Sequence, residues 1–239
     1  MTDRRLGVLV HGHWGGGKSW FGDTAPGPRL LISTEGQHQD TPSTKVAWDP
    51  RYDLPSFEDD DTVVVNLTDF SELAPVRTML RSPSHPFESV VVDSLTELQD
   101  QTKMSISAGT EGQYNPDAIF DQQKWGRLLN HLALFCRELR DHTRETAQRP
   151  IHYVLICGTD KERTPYTPLL EGALRRRIGG WPNIEGFMKT ISVDGEPSRV
   201  MILNDLDGLV EVKCNVHEIS DAYGLGIISP TFDKLLEVL

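Results

Sequence analysis

The sequence predicts an α/β domain with a mainly parallel sheet flanked by helices and an antiparallel C-terminal extension. Three observations predict it. Five short apolar runs fall between Leu6 and Thr159, each the length of a strand buried on both faces. Helical patterns and capping signals separate several of them, as expected when helices connect parallel strands. Beyond Asp160, β-rich runs surround two Asp-Gly pairs, the pattern of consecutive hairpins.

The 239 residues suit one domain, with a core over 1–160 and a basic loop, antiparallel extension and terminal helix over 161–239. Apolar residues make up 38% of the chain, and no apolar run approaches the ~20 residues of a membrane span. The apolar run after Arg4-Arg5 is too short for a signal peptide and leads into glycines, so the expectation is a cytoplasmic protein without membrane contact. Cys136, Cys157 and Cys214 are far apart and odd in number, which argues against a disulfide framework or a zinc site. The net charge of −11 argues against coating nucleic acid by bulk charge, while leaving room for a local basic surface.

In order, Leu6 to His11 reads as the first buried strand, followed by HGHWGGGKSW (11–20) and a short helix that the prolines of PGP at 26–28 stop. Arg29 to Thr34 is the second strand. Residues 37–61 read as irregular, with EDDD at 58–61 a solvated run. Thr62 to Leu67 is the third strand. Asp69 with Glu72 makes a capping box for the helix that follows. ESVVVDS is the fourth strand, ending at Asp93. A polar loop is expected over 105–116 and a helix over 118–146, with Leu128, Leu132, Phe135 and Leu139 as its core stripe. Residues 152–159 form the fifth strand. The Asp-Gly pairs at 194–195 and 207–208 predict two hairpins, and SPTFDKLLEVL a capped terminal helix.

Gly12-x-x-x-x-Gly17-Lys18-Ser19 fits the phosphate-loop pattern, in the required context of strand, loop and helix. Glycines allow backbone N–H groups to approach phosphate oxygens, and the helix start adds partial positive charge. The expected nucleotide contacts are Gly12, His13, Trp14, Gly15, Gly16, Gly17, Lys18, Ser19 and Trp20. Lys18 is expected on the β- and γ-phosphates, and the Ser19 hydroxyl on Mg²⁺. VVVD brings Asp93 to a strand's C-terminal end, as the second Mg²⁺ group. Ser94 follows it and cannot act as a base. The candidates for activating water are Glu35, at the end of the second strand, and Glu97; Glu35 is favoured because a strand-end carboxylate can aim at the γ-phosphate. Trp14 either covers the nucleotide or packs against a neighbouring subunit, with packing favoured.

The order GGGKS, LLISTEG, TVVVNLTDFSEL, VVVDSLTEL and VLICGTD resembles the core of the RecA-type ATPases. More closely, STEG, VVVDSLTEL, QQKWGRLLNHL, EVKCN and PTFDKLLEVL are similar to the small phage-encoded AAA-domain nucleotide-binding proteins. The resemblance covers nearly the whole chain. It implies a RecA-like P-loop fold, ATP and Mg²⁺ as ligands, Glu35 as base, and Asp93-Ser94 closing the magnesium strand. It also implies a homo-oligomer acting on single-stranded DNA, with phage recombination or replication proteins as partners. The chain departs from the pattern at Thr159-Asp160, where RecA-like proteins often carry Gln or His as a γ-phosphate sensor; Thr159 takes that place here. Lys213 matches a basic position that reaches a neighbour's nucleotide, but Cys214 and Asn215 follow it.

LRRRIGGWPN (174–183) offers Arg175, Arg176 and Arg177 to phosphates and Trp181 to a base, in what reads as a DNA-facing loop. The 105–116 loop is the weaker alternative, since it has Glu111 and no arginine. The expected function is ATP hydrolysis coupled to single-stranded DNA. A nucleotide-gated accessory module, a small-molecule phosphotransferase and a nuclease are the other readings.

Overall fold

The computed structural model describes residues 4–108, 120–193 and 195–239, the side chain of Gln37 excepted. Strand β1 (Gly7–Gly12) runs through the glycine loop into α1 (Lys18–Asp23) and β2 (Arg29–Ser33). β3 (Lys45–Ala47) and β4 (Thr62–Asn66) follow, then α2 (Leu73–Leu80), β5 (Ser89–Asp93), α3 (Leu95–Ala108) and α4 (Gln122–His142). β6 (His152–Cys157) leads to a small ribbon of β7 (Thr159–Asp160) and β8 (Thr167–Pro168), and then to α5 (Gly172–Ile178). β9 (Ile184–Val193), β10 (Glu196–Ile202), β11 (Lys213–Cys214), α6 (His217–Tyr223), β12 (Gly226–Ile228) and α7 (Phe232–Leu236) complete the chain.

One ten-stranded sheet carries both parts of the chain, in the order β12-β10-β9-β1-β6-β5-β2-β4-β3, with β11 pairing β9 off this path. From β9 to β3 every pairing is parallel. The central strands split their side chains between two faces with period two. Leu9, Leu30, Ile32, Val90, Val92 and Leu155 enter one apolar cluster, with Leu73 of α2, Leu98 of α3, Leu132 of α4 and Leu174 of α5. Val8, Val10, Leu31, Val91, Val154 and Ile156 enter the other, with Phe21 of α1, Ile219 of α6 and Phe232 of α7. Both faces are covered, which is why these strands read as continuous apolar runs. The expected α/β class holds. Among the described residues, no helix is long and apolar enough to cross a membrane.

The expected stripe of α4 is buried, and Asp121 caps it through the Lys124 N–H. The Asp69–Glu72 capping box forms. β9 and β10 pair as the first expected hairpin, with Asp194 of its turn outside the described residues. Other expectations need correction. The stretch 37–61 is not wholly irregular, because Lys45–Ala47 adds a parallel edge strand to β4. Residues 105–108 continue α3, and the rest of the expected 105–116 loop, Glu111 included, lies outside the described residues. The fifth strand ends at Cys157, and Thr159 belongs to the ribbon. β9 pairs in parallel with β1 as well as antiparallel with β10, so the extension is part of the main sheet. The second Asp-Gly pair closes no hairpin: β11 returns to β9, and Asp205 instead gathers the Asp207 and Val210 N–H groups.

His152 is buried at the start of β6, and its Nδ1 accepts the Leu6 N–H at 3.0 Å. Burial, reinforced by the Arg5 charge, pushes its pKa down to about 3. The folded state therefore holds this ring neutral, while the unfolded chain protonates it below about 6.5. Its contribution is complete above the unfolded pKa and is lost as pH falls toward the folded one. Relative to His152→Asn, the wild-type protein should lose stability by about 1.4 kcal/mol per pH unit below pH 6.5. Urea unfolding of both proteins from pH 7.5 to 4.5 measures this, and parallel pH profiles would contradict it.

Candidate functional site

The glycine loop sits at the C-terminal edge of the parallel strands. Gly12 ends β1 against β9, where a Cβ would lie 2.2 Å from the Met188 carbonyl oxygen, so no side chain fits. Gly17 has φ of 89°, a left-handed conformation that glycine adopts freely, and precedes α1 as its N-cap. Lys18 folds back over the loop, its Nζ donating to the carbonyls of Gly12 at 3.0 Å and His13 at 2.9 Å. α1 is short, as expected, at six residues, so the partial charge at its start is small. Anion attraction at this edge therefore falls mainly to Lys18 and the loop amides.

A cleft of about 690 Å³ opens beside the loop. It is lined by Trp14, Gly15, Gly17, Lys18, Ser19 and Trp20 from the loop, by Asp93, Ser94 and Glu97 after β5, and by Thr34 and Glu35 after β2. Six of the nine expected loop residues thus share one cavity with Asp93 and Glu35, while Gly12, His13 and Gly16 do not line it. In the sheet, β6 and β5 stand between β1 and β2, so Glu35 approaches from beyond them, next to the strand of Asp93.

The tips of β2 and β5 are tied together. The Thr34 N–H donates to the Asp93 carbonyl at 2.8 Å, the Ser94 N–H to Thr34 Oγ1 at 2.8 Å, and Thr34 Oγ1 to the Ser94 carbonyl at 3.0 Å. Ser94 Oγ donates to Glu35 Oε1 and accepts the Glu97 N–H at 3.2 Å. Ser94 is no base, but it fixes the carboxylate favoured as one.

Asp93 is buried, and desolvation raises its carboxyl pKa; a Ser19 hydrogen bond pulls it back, the Glu35 charge adds to the rise, and Lys18 opposes it. Burial lowers the Lys18 pKa, against the pull of Asp93 and Glu35. Burial, Asp100 and Glu35 raise that of Glu97. The cleft thus sets a desolvated cation beside a cluster of carboxylates. Among the described residues no three His, Cys, Asp or Glu side chains form a metal-holding group. Ser19 and Asp93 are a donor set too small for an all-protein cage, and they suit Mg²⁺, which commonly takes one or two protein oxygens and completes its shell with water and phosphate.

Other expected residues lie elsewhere. Thr159 Oγ1 bonds the buried His11 Nδ1 at 2.9 Å, and His11 Nε2 meets the Glu211 carbonyl at 2.7 Å. Thr159 is thereby engaged inside the protein, and Gly158 takes the place on the cleft wall. Lys213 Nζ donates to the Gly179 carbonyl and, at 3.0 Å, to that of Pro182. It pairs with the start of β9, at the opposite end of the strands from the loop, and serves its own chain.

Arg175, Arg176 and Arg177 are on helix α5, not in an open loop, because Leu174 and Ile178 bury one face of that turn. The helix leads to Asn183, whose N–H bonds the Gly7 carbonyl at 2.7 Å, so its C-terminal end lies at the far edge of the sheet. Trp181 packs against the core, with the Arg137 guanidinium 5.5 Å from its ring, and is not free to stack on a base. The connection at the cleft's own edge is 158–171. Its Lys161 lies 5.5 Å from the ring of Trp14, which is 87% exposed.

The motifs do not point to Arg199, which lines the cleft from β10. Its stem approaches Gly17, where a Cβ would lie 2.5 Å from Arg199 Cδ, and its guanidinium is 5.4 Å from the Trp20 ring. No protein-family model matches the chain, and no curated protein matches it significantly.

Gly12→Ala should destabilise the protein by about 2 kcal/mol or more, because the backbone of β9 must move to admit a methyl group. Urea denaturation checks this, and an unchanged midpoint with an unchanged slope would contradict the close approach.

Proposed function

We propose that the cleft binds ATP with Mg²⁺ and hydrolyses it, as a RecA-like ATPase. The observation that carries this reading is the convergence of Lys18, Ser19, Asp93 and Glu35 on one cavity at the C-terminal edge of the parallel strands. That edge is where open α/β sheets place their ligands.

The roles follow from the chemistry of each group. Lys18 exchanges its two carbonyl partners for phosphate oxygens, which restores a full charge partner to a desolvated ammonium. Ser19 and Asp93 would hold Mg²⁺, which neutralises charge on the phosphates when bound. Glu35 is exposed enough to meet water, and Ser94 holds its carboxylate. Glu35 takes the proton of a water as that water's oxygen bonds to the γ-phosphorus. The bond to the bridging oxygen breaks, giving ADP and inorganic phosphate. Glu35→Gln should lower kcat by about 10²–10⁴-fold and leave the KM for ATP within a few fold. Phosphate release measures this, and undiminished turnover would remove Glu35 from the chemistry.

The proposal extends to single-stranded DNA as partner. Arg176 and Arg177 are exposed on α5, and no acidic residue pairs with either among the described residues, so the face can neutralise phosphates by charge alone. Because this face lies away from the cleft, alanine at Arg175, Arg176 and Arg177 should leave DNA-free hydrolysis unchanged and abolish its stimulation by single-stranded DNA. Equal stimulation of variant and wild type would contradict this contact.

A further inference from the structure

A second recess, of about 450 Å³, adjoins the phosphate cleft. It shares Gly15, Trp20 and Arg199 with the cleft, so the two are continuous across those residues. Asp93 and Glu35 line the cleft alone. The recess therefore extends from the loop on the side away from the carboxylates, and its volume falls in the range of about 300–1,000 Å³ typical of small-ligand sites.

Its wall is built around Arg199. This arginine is exposed, and among the described residues no carboxylate pairs with it, although the chain carries a net charge of −11. Gly17 and the Trp20 ring hold its side chain instead. A guanidinium is planar and can stack on a π system, and this one lies 5.4 Å from the indole centroid. Ser229 and Pro230 line the recess beside Arg199. Ser229 alone among the described non-glycine residues has positive φ, at 50°. It is pinned there by its N–H to the Arg199 carbonyl at 2.7 Å and by Lys234 Nζ donating to its own carbonyl at 3.0 Å. Thr190, paired with Arg199 across the strands, adds a hydroxyl that can donate or accept.

We propose that this recess seats the base and ribose of the bound nucleotide, with Arg199 stacked between the base and Trp20. The inference rests on the triphosphate reading of the adjoining cleft. A flat, aromatic, hydrogen-bonding group joined to an anion fits a cation-topped indole next to a phosphate loop, and an aliphatic phosphate ester does not use the stack.

Calorimetric titration with two probes separates the recess from the cleft: MgATP, and magnesium tripolyphosphate, which lacks base and ribose. Wild-type protein should bind MgATP at least tenfold tighter than tripolyphosphate. Arg199→Lys, which keeps the charge beside the loop and loses the planar guanidinium, should remove most of that advantage and leave tripolyphosphate affinity within twofold. Thr190→Trp, on the strand paired with Arg199 and on the same face of the sheet, narrows the recess and should do the same. Neither residue belongs to the core, so both variants can be compared with wild type as folded proteins. Equal affinity of wild type for the two probes, or equal losses for both probes in the two variants, would overturn the assignment and leave the phosphate cleft standing. Failure of wild type to bind either probe would overturn the cleft reading itself.

Discussion

Parallel pairing of β1, β6, β5 and β2 is the constraint on which the rest of the structure depends. It sends four C-terminal ends to one edge, with His11 opposite Cys157, Asp93 opposite Ile156 and Ser33 opposite Asp93. The glycine loop, Glu35 and Asp93 belong to three separate segments of the sequence, and this register gathers them. A slip of one residue would turn every side chain of a strand to the other face. The two apolar clusters prevent that slip, because each strand gives alternate residues to each.

At that edge, burial and charge oppose one another. Lys18 is held by two carbonyls of its own loop, while desolvation disfavours its charge. Asp93 is buried, and the Glu35 charge beside it further disfavours its ionisation. Burial is the first cause of both shifts, and perturbed proton affinities gathered in a cleft are a pattern that functional sites share. Ser94 and Thr34 keep the carboxylates from collapsing into another arrangement, since their hydrogen bonds lock the two strand tips together.

Much of this is legible in the sequence, for identifiable reasons. β1, β2, β4, β5 and β6 are buried on both faces, so their apolar runs are unbroken. The Asp69–Glu72 capping box is local chemistry and forms as expected. Lys18, Ser19, Asp93 and Glu35 stand out because each ends or follows such a strand. β3 is not legible, since a three-residue edge strand carries no period. The pairing of β9 depends on β1, at the other end of the chain, and nothing local distinguishes its parallel side. Arg199 reaches the loop from β10, and no motif spans the stretch of sequence between it and Gly17. The helix under Arg175, Arg176 and Arg177 does leave a signal, in Leu174 and Ile178 one turn apart, but the neighbouring Gly179-Gly180 pair favours a loop reading.

The central claim is that Lys18 and the loop around it grip the phosphates of a nucleotide. The most direct measurement is calorimetric titration of the wild-type protein and of Lys18→Ala with ATP in the presence of Mg²⁺. The account predicts saturable one-site binding by wild type and a loss of at least a hundredfold in affinity for the variant, about 2.7 kcal/mol. Unimpaired binding by Lys18→Ala, or no binding by wild type, would contradict it.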